Sequence, residues 1–192
     1  MDLIDGSAVE AQLIATGFAL ANRAASSCLR EDSLPGPCGL HVATITAPVY
    51  FLDSEQSLDE LIEAFERGTL PKKDWRHAAH VAVAGCYVLA YQRPEATTLV
   101  RHGILHLNRC HGTANTDHSG YHETLTLFWI ARTGEFLAGC QPDASRIDKV
   151  RALVECFAPR RDLFREYYTF DVVRSVEARR RWVEPDATPE ER

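Results

Sequence analysis

One segment of the chain carries apolar residues on every side, while its neighbours carry them on one side only. Between Ala78 and Tyr91, the residues Val81, Val83, Tyr87, Val88, Leu89 and Tyr91 fall all round a 3.6-residue helix. That is the pattern of a helix buried in the middle of a bundle. Upstream, residues 7–29 are rich in Ala and Leu and read as a loosely patterned helix ended by Pro35-Gly36-Pro37. Residues 41–52 are β-branched but interrupted by Pro48, an irregular lead-in. Residues 58–67 form an amphipathic helix, with Ser57 as its cap, acids in its first turn and Gly68 at its stop.

The buried helix then runs from its Trp75-Arg76-His77-Ala78-Ala79-His80 mouth to about Gln92, where Pro94 breaks it. A further helix covers residues 95–110, and the polar stretch from Gly112 to Gly120 is a loop. The next helix runs from about Tyr121 to Gly139, with Ser119 or Asp117 as its cap. Another spans residues 144–157, ended by Pro159, and a short Ser175-capped helix reaches Trp182 before a polar tail. Helices of this length joined by short connections favour antiparallel neighbours. The expected fold is all-α, a single-domain antiparallel helical bundle over residues 57–188. An N-terminal extension (1–56) precedes it and a tail (189–192) follows.

Composition narrows the partners more than the fold. The 192 residues suffice for one domain with a substantial core. A net charge of -6 argues against nucleic acid and membrane surfaces, both of which want a basic face. The apolar run at 78–91 is too short to span a bilayer. The acidic start Met-Asp-Leu-Ile-Asp-Gly lacks the basic region of a signal peptide, so a cytoplasmic protein is expected. In that compartment the six cysteines, none in a C-x-x-C pair, read as reduced thiols; Cys28 and Cys38 are the one pair close enough to bridge.

Of the eight histidines, seven lie between His77 and His122. His77 and His80 stand three apart in the first turn of the buried helix, and so on one face of it. Two imidazoles turned into a core need partners, and a shared metal ion is one way to supply them. The second informative stretch is Asn115-Thr116-Asp117-His118-Ser119-Gly120-Tyr121-His122-Glu123-Thr124. A helix N-terminus there disfavours protonation of His122 and favours an ionised Glu123. His-Glu opens the zincin motif, but Thr126 stands where the second histidine is required. That motif fails.

Three neutral nitrogens from His77, His80 and His122, with positions left open, are the layout of a catalytic metal site. With Glu123 in place of His122 the set suits non-haem iron. The plainer alternative is that His77 and His80 cap their helix or bond to carbonyls, and that His122 caps the next one. His102 and His106 are expected on the wet face of their helix, and His111 and His118 in solvent. Arg101 and Asn108 share a face with Ile104 and Leu105, as satisfied core groups or as donors behind a site. Trp75 and Trp129 read first as core residues. Arg179-Arg180-Arg181 reads as a solvated face pairing with nearby acids.

Three separated motifs carry a resemblance. They are Leu70-Pro71 with Trp75, His77 and Ala79-His80; Asn115-Thr116 with Gly120-Tyr121-His122-Glu123-Thr124; and Ser175, Glu177-Ala178-Arg179, Trp182 and Glu184-Pro185-Asp186. Over residues 57–188 the chain resembles a family of small bacterial proteins of unassigned function. The resemblance implies that the motifs converge on one site, and it transfers no activity. Residues 1–56 fall outside it.

The first functional expectation is therefore a metal-dependent enzyme acting on a small-molecule substrate, with iron, copper or zinc on His77, His80 and His122. Glu123 would serve as general base or alternative ligand and Tyr121 as proton donor or substrate contact. Trp75, Arg101, Asn108, Asn115 and Thr126 would line or support the site. Oxidative chemistry on iron or copper is favoured slightly over hydrolysis on zinc. The alternative from another class is a metal-free helical protein that binds a small ligand. A second copy of the chain, in a homodimer, is the one macromolecular partner the sequence leaves open.

Overall fold

The computed structural model describes residues 52–189, and these belong to one compact unit. The helix expected at 7–29, the lead-in up to residue 51 and the Cys28/Cys38 pair lie outside the described residues. The described chain is an all-α helical bundle. It comprises α1 (Glu55–Glu66), α2 (His77–Ala90), α3 (Arg93–Cys110), α4 (Glu123–Ala138), α5 (Arg146–Phe157) and α6 (Val176–Arg180), with short 3-10 turns at Ala158–Arg160 and Leu163–Glu166.

The central element is α2, which packs against α3, α4 and α5. Ala79 and every residue from Val81 to Tyr87 are buried, as the all-round apolar pattern predicts. The prediction fails at the far end, where Leu89 and Tyr91 are exposed because the helix emerges from the core before it stops. The core divides into two clusters around it. Val83, Ala84 and Tyr87 join Leu58, Leu61 and Phe65 of α1 with Val100 and Leu107 of α3. Val81 joins Phe128 of α4, Leu153 and Phe157 of α5, and the C-terminal Phe164, Tyr168 and Val172. Gly85 permits the close approach of α2 and α5: a Cβ there would stand 2.7 Å from Leu153 Cδ2.

Helix starts depart from the predicted ones, each for a local reason. Ser54, three residues before the predicted Ser57, caps α1. Its side chain accepts from the Ser57 N–H at 3.1 Å while the Ser57 hydroxyl accepts from the Ser54 N–H at 3.1 Å, a reciprocal capping box. Pro94 does not merely end α2. It sits in the first turn of α3, where its missing N–H costs nothing, so only Tyr91 and Gln92 separate two helices packed side by side. His122 itself, in place of Ser119 or Asp117, caps α4. Ser145 and Ser175 cap α5 and α6, and α6 stops at Arg180, before Trp182. Among the described residues no helix is long and apolar enough to cross a membrane.

Candidate functional site

The first two motifs meet at a cavity of about 320 Å³ walled by α2, α3 and α4 and closed by the segment after α5. His77, His80, His122, Trp75, Asn108, Tyr121, Thr126 and Trp129 all line it. Seven of these eight were read from the sequence as site residues, and Trp129 as a core residue.

His77 and His80 reach the cavity from the first turn of α2. The His77 Nε2 lies 3.2 Å from the Phe157 carbonyl. A carbonyl only accepts, so Nε2 carries the proton and Nδ1 keeps its lone pair. Its ring meets Trp129 edge-on at 4.4 Å. His80 lies flat on Trp75, with centroids 3.7 Å apart and planes 23° apart, and Phe65 stacks on the same indole at 5.2 Å. Neither ring nitrogen of His80 bonds to any described residue. Burial, helped by the neighbouring His77, pulls the His80 imidazole down to about 3. Burial also lowers His77, against the opposing Phe157 bond and Asp162. Both rings are neutral at physiological pH.

His122 is a different kind of histidine. It is buried, its Nδ1 accepts from the Leu125 N–H at 3.3 Å, and its Nε2 donates to the Val172 carbonyl at 3.0 Å. One neutral tautomer satisfies both bonds, and it leaves no lone pair for a ligand. Burial lowers its pKa as well. Among the described residues no three His, Cys, Asp or Glu side chains are grouped to hold a metal ion.

Glu123 and Tyr121 are tied to each other. Arg101 donates to both carboxylate oxygens, from Nε to Oε2 at 3.1 Å and from its terminal nitrogen to Oε1. The Tyr121 hydroxyl donates to Oε2 at 2.6 Å. Desolvation and the Glu123 charge push the Tyr121 phenol well above its usual range. In this arrangement the carboxylate already accepts three hydrogen bonds, and the phenol proton is committed to it. Arg101 and Glu123 stand behind the wall that Tyr121 presents to the cavity.

Asn115 organises the loop. Its Oδ1 accepts from Asn108 Nδ2 at 2.8 Å and from the Tyr121 N–H at 2.8 Å, so the buried Asn108 is a satisfied core group. Gly120 closes the loop at φ +77, and a Cβ there would stand 2.5 Å from Asn115 Oδ1. The other described histidines stay outside the lining. His102 and His118 are exposed, as expected. His106 is half-buried beside Cys110, and His111, also half-buried, bonds the Leu70 carbonyl at 2.7 Å, which tethers it where solvent was expected.

The chain matches no family model, no curated protein and no solved structure. Its site is therefore read from its own geometry. The third motif does not line the cavity but holds its wall from behind. Arg179, read from the sequence as part of a solvated run, turns inward and donates to the carbonyls of Gly120, Tyr121 and Val173 at 3.2, 3.1 and 3.3 Å. Arg180 and Arg181 behave as expected, pairing with Asp117 and Glu177. The fully buried Thr124 donates to the Arg181 carbonyl at 2.8 Å and accepts from the Val183 N–H at 3.0 Å. Arg161 and Phe164 complete the lining. Nothing in the pattern of Arg160-Arg161-Asp162 marks it as part of a site, and only the chain path after α5 brings it there.

Proposed function

We propose that the cavity between α2, α3 and α4 binds a small molecule, whose polar end meets His77 and His80. The observation that carries this reading is His80: a neutral, half-buried imidazole that lines the cavity and makes no hydrogen bond to any described residue. An imidazole that faces an open space of this size and makes no hydrogen bond to a described residue is available to a visitor. The cavity volume sits at the lower end of the range for small-ligand sites. The walls support the same reading, with Val100, Ile104, Leu125 and Ile130 supplying apolar surface between a few polar groups. His122, Glu123 and Arg101 serve this site by holding the Tyr121 wall in place.

A second reading, a metal-dependent enzyme with iron, copper or zinc, is favoured by one observation. The Phe157 carbonyl fixes the His77 tautomer as carbonyls do for metal-bound histidines, leaving Nδ1 as a donor beside the unpartnered His80. The ligand pair is then His77 and His80, completed by water or substrate, since a ligating His122 would have to give up its Leu125 bond.

The test uses Trp75 and Trp129, whose fluorescence reports on the cavity. A panel of small molecules is titrated against the wild type and against His80→Leu. Binders that quench the wild type and lose at least tenfold in affinity in the variant support the proposal; binders indifferent to the variant contradict it. Elemental analysis of tag-free protein, beside His77→Ala and His122→Ala, decides the second reading. A near-stoichiometric metal lost in His77→Ala and kept in His122→Ala supports it. Less than about a tenth of an equivalent of any transition metal, with none taken up on titration, ends it.

A further inference from the structure

We infer that the ligand of this cavity is a small anion, a carboxylic acid with an apolar body, its charged end at Arg161. The inference rests on the reading of the cavity as a small-molecule site and names the class of molecule it takes. Among the described residues no aspartate or glutamate lines the cavity, and Arg161 is the one lining residue with a permanent charge. The lining side chain is largely exposed, which places the guanidinium at the mouth, where a ligand's charge can stay partly hydrated.

Local charges leave that guanidinium incompletely matched. Asp162 is its nearest carboxylate, at 3.5 Å, but the same carboxylate also faces Arg165 at 3.6 Å. Glu166 lies 3.8 Å from Arg160. Among the described residues of this segment, three arginines thus share two carboxylates. A cationic ligand would find the reverse of what it needs. It would meet Arg161 at the entrance and no carboxylate among the described lining residues; Asp162, whose charge reaches His77, is already shared by Arg161 and Arg165, and the two lining indoles already carry ring contacts. Trp75 is stacked by both His80 and Phe65, while Trp129 is met by His77, Phe128 and Phe157. A neutral ligand would leave Arg161 unused. An acid uses both ends, with its body against Val100, Ile104 and Leu125 and its carboxylate at the His77 and His80 end of the cavity, where the Arg161 charge reaches His77.

The experiment compares matched sets: a carboxylic acid, its primary amide and the corresponding primary amine, on phenylpropyl, cyclohexylpropyl and indolylpropyl bodies. Each is titrated at low salt, with binding read from the tryptophan signal or, for the indoles, by calorimetry. The acids are expected to bind at least tenfold more tightly than the amides, and the amines more weakly than either. Arg161→Gln should bring each acid down to the level of its amide without moving the amide. Asp162→Asn, which frees the guanidinium, should strengthen acid binding alone. Amides or amines that equal the acids, or an acid preference that survives Arg161→Gln, overturn the anion assignment; amide binding lost in His80→Leu would then keep the cavity reading. Binding by none of the three classes overturns both.

Discussion

The first turns of α2 and α4 both bring histidine to the same cavity, yet the fold treats them in opposite ways. At the start of α4 the polar groups of His122, Glu123 and Thr124 are all employed. His122 makes two bonds, Glu123 accepts three, and Thr124 bridges the Arg181 carbonyl to the Val183 N–H. At the start of α2, His77 makes one bond and His80 makes none to a described residue. A polar residue the fold consumes explains itself as architecture. One that is half-buried, faces the cavity and is left over is free to serve a ligand. The contrast separates scaffold from site within a single cavity, and it is open to attack from either side.

The largest effect is expected at α4. Thr124→Val keeps the shape and removes the hydroxyl, leaving the Arg181 carbonyl and the Val183 N–H without it. Loss of about 2–4 kcal/mol in urea unfolding is expected, since each orphaned backbone group costs roughly 1–3 kcal/mol. A loss below about 1 kcal/mol would show that the C-terminal segment is not stitched to α4 through this residue.

Acid is the next lever. His77, His80 and His122 all have pKa values lowered by burial, His80 to about 3, so the unfolded chain binds more protons than the folded one below their ordinary value. Stability therefore rises with pH through this window. It is fully present above about 6.5 and falls as the pH drops towards 3, by up to about 1.4 kcal/mol per pH unit for His80. In His80→Leu that slope should become shallower by one proton, read from urea midpoints at pH 7, 6 and 5. An unchanged slope would mean that His80 protonates as freely as in the unfolded chain.

The smallest effect on stability is expected from the same substitution at neutral pH, and this is its diagnostic value. Because no bond to a described residue is lost, His80→Leu should leave the unfolding free energy within about 1 kcal/mol of wild type or raise it, while ligand affinity falls. A loss of 3 kcal/mol or more would class His80 with His122 as scaffold.

How much of this was legible in the sequence follows the same division. The all-round apolar pattern of residues 78–91 located the central helix, since burial on every side leaves a mark that composition carries directly. Spacing placed His77 and His80 on one face, and the cavity confirms that face. The cap that His122 forms was among the sequence readings, but its second bond was not legible, because the partner carbonyl, Val172, lies 50 residues away on a segment with no periodicity of its own. Nor was that of Arg179. A run of three arginines looks uniformly solvated until α6, with Ala178 buried beneath it, turns one of them inward. The partner of Glu123 was hidden as well, because chain order does not show that Arg101 approaches it from another helix.

The account is tested most directly by the ring nitrogen spectra of selectively 15N-labelled histidine, recorded at pH 7 with and without a saturating acid of the matched panel. His122 should show one neutral tautomer, protonated at Nε2, with shifts that do not move on addition. The nitrogens of His80 and Nδ1 of His77 should move. Shifts confined to His122, or a His122 signal without a fixed tautomer in the free protein, would contradict the division of labour on which the functional reading rests.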